Sequence, residues 1–251
     1  KDRAGMGAGH GGEPLWPGQR GALCGTAAGL EGFATDIALI CGSPKGKNSA
    51  SWVILQGLRD ALPPQAAVRE YAIRTAPLPE QALRGIAACD VLVFAMPLYV
   101  DGLPSHMVGA LLQLEADFRE TPQKERTAYA LVNSGFYEGH QNAHALHMLR
   151  HWCRRAGVRW GQGIGAGGGG MLPETQNIPM GHGPKKRLGQ ALQTLAEAIV
   201  SGGQAEDLYI TQNFPRVLYR MSAESVWRRK GRKNGLSKQE LFAAPGEGPT
   251  A

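Results

Sequence analysis

The sequence predicts an α/β domain built on a doubly wound parallel sheet of five strands in the order 2-1-3-4-5, with a helical extension at its C-terminal end. Three observations carry this. Short, nearly continuous apolar runs recur as DIALIC (36–41), VLVFAM (91–96) and TAYALV (127–132), the pattern of strands buried on both faces. Amphipathic segments of helical length alternate with them. Each run closes on a loop of Gly, Pro, Ser or Asn, so strand ends and helix starts are punctuated.

The elements follow in order. Residues 1–34 are Gly-rich, contain Pro14 and Pro17 and show no sustained period; they are expected to be a flexible extension. DIALIC is a buried strand. Ser49 to Leu62 places Val53, Ile54, Leu58, Ala61 and Leu62 along one side, and Pro63-Pro64 stops that helix. AVREYAI (67–73) alternates as a second strand. A short helix is expected within 77–88, and VLVFAM is the third strand, broken at Pro97. Ser105 to Leu114 is helical, TAYALV is the fourth strand, and a helix over His140 to Ala156 ends at Gly157. VRWGQGIG (158–165) is a fifth strand weakened by its glycines, and Lys185 to Val200 is the last amphipathic helix. The expected division is an extension at 1–34, the sheet domain at 35–205 and a basic helical tail at 206–251.

Composition narrows the function classes. Hydrophobic residues are 43 % of 251, enough for a sizeable core. The net charge of +6 is concentrated late, in Arg216, Arg220, Arg228, Arg229, Lys230, Arg232, Lys233 and Lys238. Such a tail suits nucleic acid, an anionic membrane or an anionic ligand, or is simply a solvated face. Cys24, Cys41, Cys89 and Cys153 form no CxxC pair, which argues against zinc ribbons and cysteine-held iron–sulfur clusters. Cys41 and Cys89 read as buried apolar residues of a cytoplasmic protein. No apolar run approaches the ~18–20 residues of a membrane span.

In a sheet of this order the ligand crevice forms at the carboxyl ends of the first and third strands. Three loops are therefore decisive. GSPKGKNS (42–49) lies between a strand and a helix. Its glycines are one residue too close for a triphosphate loop, and Asn48 stands where the hydroxyl that ligates magnesium is required. Two G-x-G-x-x-G matches, at 7–12 and 165–170, lack either the preceding strand or the following helix that a dinucleotide loop needs. GSPKGKNS keeps the right context. Ser43, Ser49 and Ser51 offer hydroxyls, Asn48 an amide, Lys45 and Lys47 charge, and the helix start offers free N–H groups for a phosphate. The second loop, MPLYVDGLPSHM (96–107), brings Tyr99 as a planar wall. The third, NSGFYEG (133–139), adds Phe136 and Tyr137 around Gly135.

Together GSPKGKNS, PLYVDGLPSHM, NSGFYEGHQN and WGQGIGAGGGGM, in this order across about residues 36–240, resemble the flavodoxin-like NAD(P)H-dependent FMN reductases. The resemblance implies bound FMN, with NADH or NADPH as co-substrate. It implies that Ser43, Lys45, Asn48, Ser49 and Ser51 hold the FMN phosphate. Pro97, Leu98, Tyr99 and Val100 would hold the isoalloxazine, and Asn133, Ser134, Gly135 and Phe136 would flank it. It implies a homodimer and a quinone, flavin, nitro compound or protein as acceptor. The cysteine motif by which some relatives carry an iron–sulfur cluster is missing.

No single catalytic side chain stands out, because in such enzymes the cofactor performs the chemistry. A flavodoxin-type electron carrier without nicotinamide activity is the alternative, although such carriers usually present an acidic face. A third reading makes the tail, with Trp227 among its arginines, an adaptor for nucleic acid or anionic membrane. His140, His144, His147 and His151 recur at helical spacing, but the apolar face carrying Leu146, Leu149, Trp152 and Cys153 puts them outward in solvent, so no metal site is expected.

Overall fold

Alternating apolar side chains build the sheet from both sides. The computed structural model describes residues 35–121 and 124–243. The glycine-rich stretch expected at 1–34 lies outside the described residues.

The strands are β1 (Asp36–Cys41), β2 (Ala67–Ala72), β3 (Val91–Pro97), β4 (Thr127–Asn133), β5 (Arg159–Ala166) and β6 (Leu208–Ile210). All neighbours pair in parallel, in the order β2-β1-β3-β4-β5-β6. The major helices are α1 (Ala50–Ala61), α2 (Glu80–Ala87), α3 (Ser105–Glu120), α4 (Ala143–Ala156), α5 (Lys186–Ser201) and α6 (Arg216–Lys233).

Because side chains alternate across a strand, β1 feeds two cores. Ile37 and Leu39 pack with Ile54 and Leu58 of α1 and with Leu192 and Leu195 of α5. Ile40, on the other face, joins Ile86 of α2, Met107 of α3 and Leu146 of α4. The sheet is thus covered on both sides, as continuous apolar strands require. β4 is buried at every position, whereas edge strand β2 is half-exposed.

The expected five strands become six. Leu208–Ile210, read from the sequence as the start of the tail, pairs with Ile164–Ala166. Three residues are too few to show a period of two. Their anchor is a side chain: the Asp207 carboxylate, 6 % exposed, accepts from Gly163 N and Trp160 Nε1 and pairs with Arg150. The glycines of β5 also have a steric reason. A Cβ on Gly161 would lie 2.3 Å from the Tyr129 ring.

Pro97 ends β3, as expected, and pairs with Asn133 as the strand's last residue. The helix expected from His140 starts as a 3-10 turn at Gly139–Asn142, and α4 proper begins at Ala143. Gly157 closes it in the left-handed region at φ 67°. The four histidines are exposed, and no metal-ligating cluster exists among the described residues.

Candidate functional site at the carboxyl ends of the strands

The three loops meet because β1, β3 and β4 are neighbours. Gly42 N donates to Ala95 O at 2.8 Å, and Leu98 N donates to Asn133 O at 2.8 Å. Ser51 Oγ then reaches across β3 and donates to Asn133 Oδ1 at 2.7 Å. Both residues are buried, at 1 % and 5 % exposure, so this bond is shielded from water and fixes the first loop against the third.

The first loop is an anion-binding shape. α1 starts at Ala50 with Ser49 as its cap. The N–H groups of Ala50 and Ser51 open the helix, where geometry leaves them no intrahelical acceptor and the dipole is positive. Ser43 is buried beside them. No acidic residue occurs between Gly42 and Ser51. Lys45, Lys47 and Asn48 are exposed at the rim, and Lys47 Nζ lies 5.3 Å from the Trp52 ring centroid.

Ser49 has a different task from a free hydroxyl donor. Its Oγ donates to Gly46 O at 2.6 Å and accepts from Trp52 N at 3.1 Å. Both directions are therefore committed to capping α1. Beneath it, burial pushes the Cys41 thiol up, despite opposing contacts from the Ser43 backbone and Ser49 hydroxyl.

The second loop turns sharply. Tyr99 and Gly102 exchange backbone hydrogen bonds at 3.0 Å each way. The central residues, Val100 and Asp101, have φ of 48° and 57°. This is the geometry of a type I′ turn, which favours Asn and Gly. A β-branched residue there is strained. Val100 is fully exposed and Tyr99 is 43 % exposed, so neither is held by core packing. The loop's far end is tied down by His106, whose Nε2 donates to Gly42 O at 3.1 Å. The sequence offers no signal for that contact, which spans 64 residues.

The third loop has a buried root and an exposed tip. Ser134 is buried, with its N–H on Ala166 O at 3.0 Å. Asn142 Nδ2 donates to Gly139 O at 2.9 Å and lies 3.4 Å from Ser134 Oγ. Phe136 is 51 % exposed. The tail returns over this loop: Tyr219 OH donates to Gly135 O at 2.6 Å, and Tyr137 OH to Phe214 O at 2.7 Å. Arg216 pairs with Glu138 at 3.1 Å. Sequence reasoning missed this return as well.

No protein-family profile and no curated protein matches the chain. Solved structures do. The Trp repressor binding protein from Bacillus subtilis superposes with a TM-score of 0.50 at 14 % identity, over 64 % of this chain and 98 % of that one. An NADH:FMN oxidoreductase in its apo form gives a TM-score of 0.50 at 17 % identity, over 68 % of this chain and 91 % of that one. The fold is flavodoxin-like. Both likenesses agree with the fold that the sequence resemblance implies. Among the described residues of this flavodoxin-like chain, no helix is long and apolar enough to cross a membrane.

The donor set fits FMN. A phosphate monoester asks for uncommitted N–H groups and hydroxyls without nearby carboxylates, which the α1 start and Ser43 provide. A flavin ring asks for planar walls and reachable backbone, which Tyr99, Phe136 and the 97–102 turn provide.

Proposed function

We propose that the protein is an FMN-dependent oxidoreductase that passes a hydride from NADH or NADPH to bound FMN and on to a quinone, flavin, nitro compound or protein. The observation that carries this reading is the Ser51–Asn133 bond, which joins a phosphate-type loop to a loop with an exposed aromatic tip. The NADH:FMN oxidoreductase that shares the fold supports the same reading.

FMN, when bound, supplies the hydride and electron chemistry. The chain's task is to hold and orient it. The amides of Ala50 and Ser51 and the Ser43 hydroxyl would hold the phosphate, with Lys45 and Lys47 adding charge and Asn48 an amide. Ser49 contributes by fixing the helix start. Backbone of Pro97, Leu98 and Val100 would bind the polar edge of the ring, and Tyr99 would shield it from water. Asn133 and Ser134 position the third loop, and Gly135 and Phe136 would flank the ring. The enzyme acts as a homodimer.

The test is a titration of the purified full chain with FMN, followed by anaerobic addition of NADH or NADPH. A bound flavin band that bleaches with one or both nucleotides is expected. Absence of FMN binding up to high micromolar concentration would end the proposal.

A further inference from the structure

Outside the crevice, a groove of about 800 Å³ lies between the tip of the third loop and α6. Its volume falls within the range of small-molecule sites. Its walls present three rings that nothing in the core requires: Phe136, Trp227 and Phe242, exposed by 51 %, 75 % and 73 %. Its charges do not cancel. Glu138 is matched by Arg216, but Glu224 alone faces both Arg220, at 3.2 Å, and Arg228, at 3.3 Å. Among the described residues, one guanidinium of that pair is therefore uncompensated.

The groove is also fixed in place. The Tyr219–Gly135 and Tyr137–Phe214 hydrogen bonds clamp the start of α6 onto the loop, and the Tyr137 and Tyr219 rings lie 5.5 Å apart. The loop so clamped is the one whose root, Asn133, is bonded to Ser51. A molecule in the groove would thus sit beside the crevice, with Phe136 common to both.

We propose that this groove is the co-substrate site and takes a planar aromatic anion. Its ring lies against Trp227 and its anionic group on the Arg220–Arg228 pair. The proposal rests on the FMN reading for the word co-substrate, but the groove's chemistry stands on its own residues. Exposed rings favour a flat π-system, and a spare guanidinium favours an anionic group at its edge. A nicotinamide nucleotide and an anionic aromatic acceptor share this chemistry.

The test uses the full chain, with and without FMN. Calorimetric titration with anthraquinone-2-sulfonate, NADH and NADPH is compared among wild type, Trp227→Ala and Arg220→Ala/Arg228→Ala. All three side chains are exposed, so folding is preserved. Weakening of at least one probe by roughly tenfold in both variants is expected, the size of a lost stacking partner or charged contact, with FMN affinity unchanged. Weakening of the quinone sulfonate assigns the groove to the acceptor; weakening of a nucleotide assigns it to the hydride donor. Unchanged binding of all three probes overturns the proposal. So does a result in which Trp227→Ala only shifts the oligomer in sedimentation, because the face would then be a subunit interface. If the sulfonate binds and FMN does not, the flavin reading fails while the groove stands. If FMN binds and no probe responds to the variants, the reverse holds.

Discussion

Val100 provides the sharpest test of the site's geometry. It occupies the left-handed region at φ 48°, next to Asp101 at 57°, in a two-residue turn closed by a pair of backbone hydrogen bonds. An L-residue in that region costs about 1–2 kcal/mol, and a β-branched one lies at the upper end. The side chain is fully exposed, so its removal forfeits no burial. Asn tolerates the conformation without the added unfolded-state entropy of Gly. Val100→Asn should therefore stabilise the ligand-free protein by about 1 kcal/mol. For a chain of this size that raises Tm by roughly 2–4 °C. Val100→Ile, equally branched, should leave Tm unchanged. Thermal melts followed by circular dichroism read both. A Tm for Val100→Asn at or below wild type would refute the strain argument.

Three further outcomes are expected. Asp207→Ala leaves the Arg150 guanidinium, Trp160 Nε1 and Gly163 N without their shared acceptor; urea unfolding should show a loss of about 3–5 kcal/mol, and a loss below 1 kcal/mol would contradict that anchoring role. Burial pushes the Cys153 thiol up to about 12 and also raises Cys41 and Cys89; peptide mapping after iodoacetamide at pH 7.5, roughly a unit below an ordinary thiol, should find all three unmodified in the native protein and modified in urea. Burial alone would raise the Asp90 carboxyl, but its hydrogen bond from Lys124, helped by the Asp36 N–H and the charges of Lys124 and Arg126, holds it below its ordinary value. Ionised Asp90 thus contributes stability that is complete above the unfolded value of about 3.9 and lost as pH falls through the folded one. The gap in urea midpoint between wild type and Asp90→Asn should shrink as pH falls below about 4, and a gap independent of pH would count against it.

What the sequence reveals here depends on how local the cause is. DIALIC, VLVFAM and TAYALV are legible because burial on both faces demands unbroken apolar runs. The start of α1 is legible because Ser49 carries its own signal, although that signal is the same for a cap and for a phosphate ligand. The two short distances at its Oγ show the cap. The sixth strand is illegible because its cause is Asp207, a lone carboxylate accepting from residues 44 and 47 positions earlier. The His106–Gly42 contact and the Tyr219–Gly135 clamp are hidden for the same reason: each joins segments that only the folded sheet brings together. The turn at Val100 and Asp101 is the opposite case, for VD is a poor I′ sequence, and the folded loop imposes a shape that local preference resists.

The segment ahead of the tail has a consequence for the molecule's life among its own copies. Ala205 N donates to Gly161 O, Gln204 Nε2 to Trp160 O and Gln162 Nε2 to Glu206 O, and β6 continues the cover along β5. Without this strip, β5 would be a bare margin of unpaired amides and carbonyls, a template onto which another chain can add a strand. Shortening the chain at residue 205 would strip β6 from that margin and invite stacking of sheets between molecules. The residues from 206 onward thus begin by covering a sheet margin, before any role their basic helix performs.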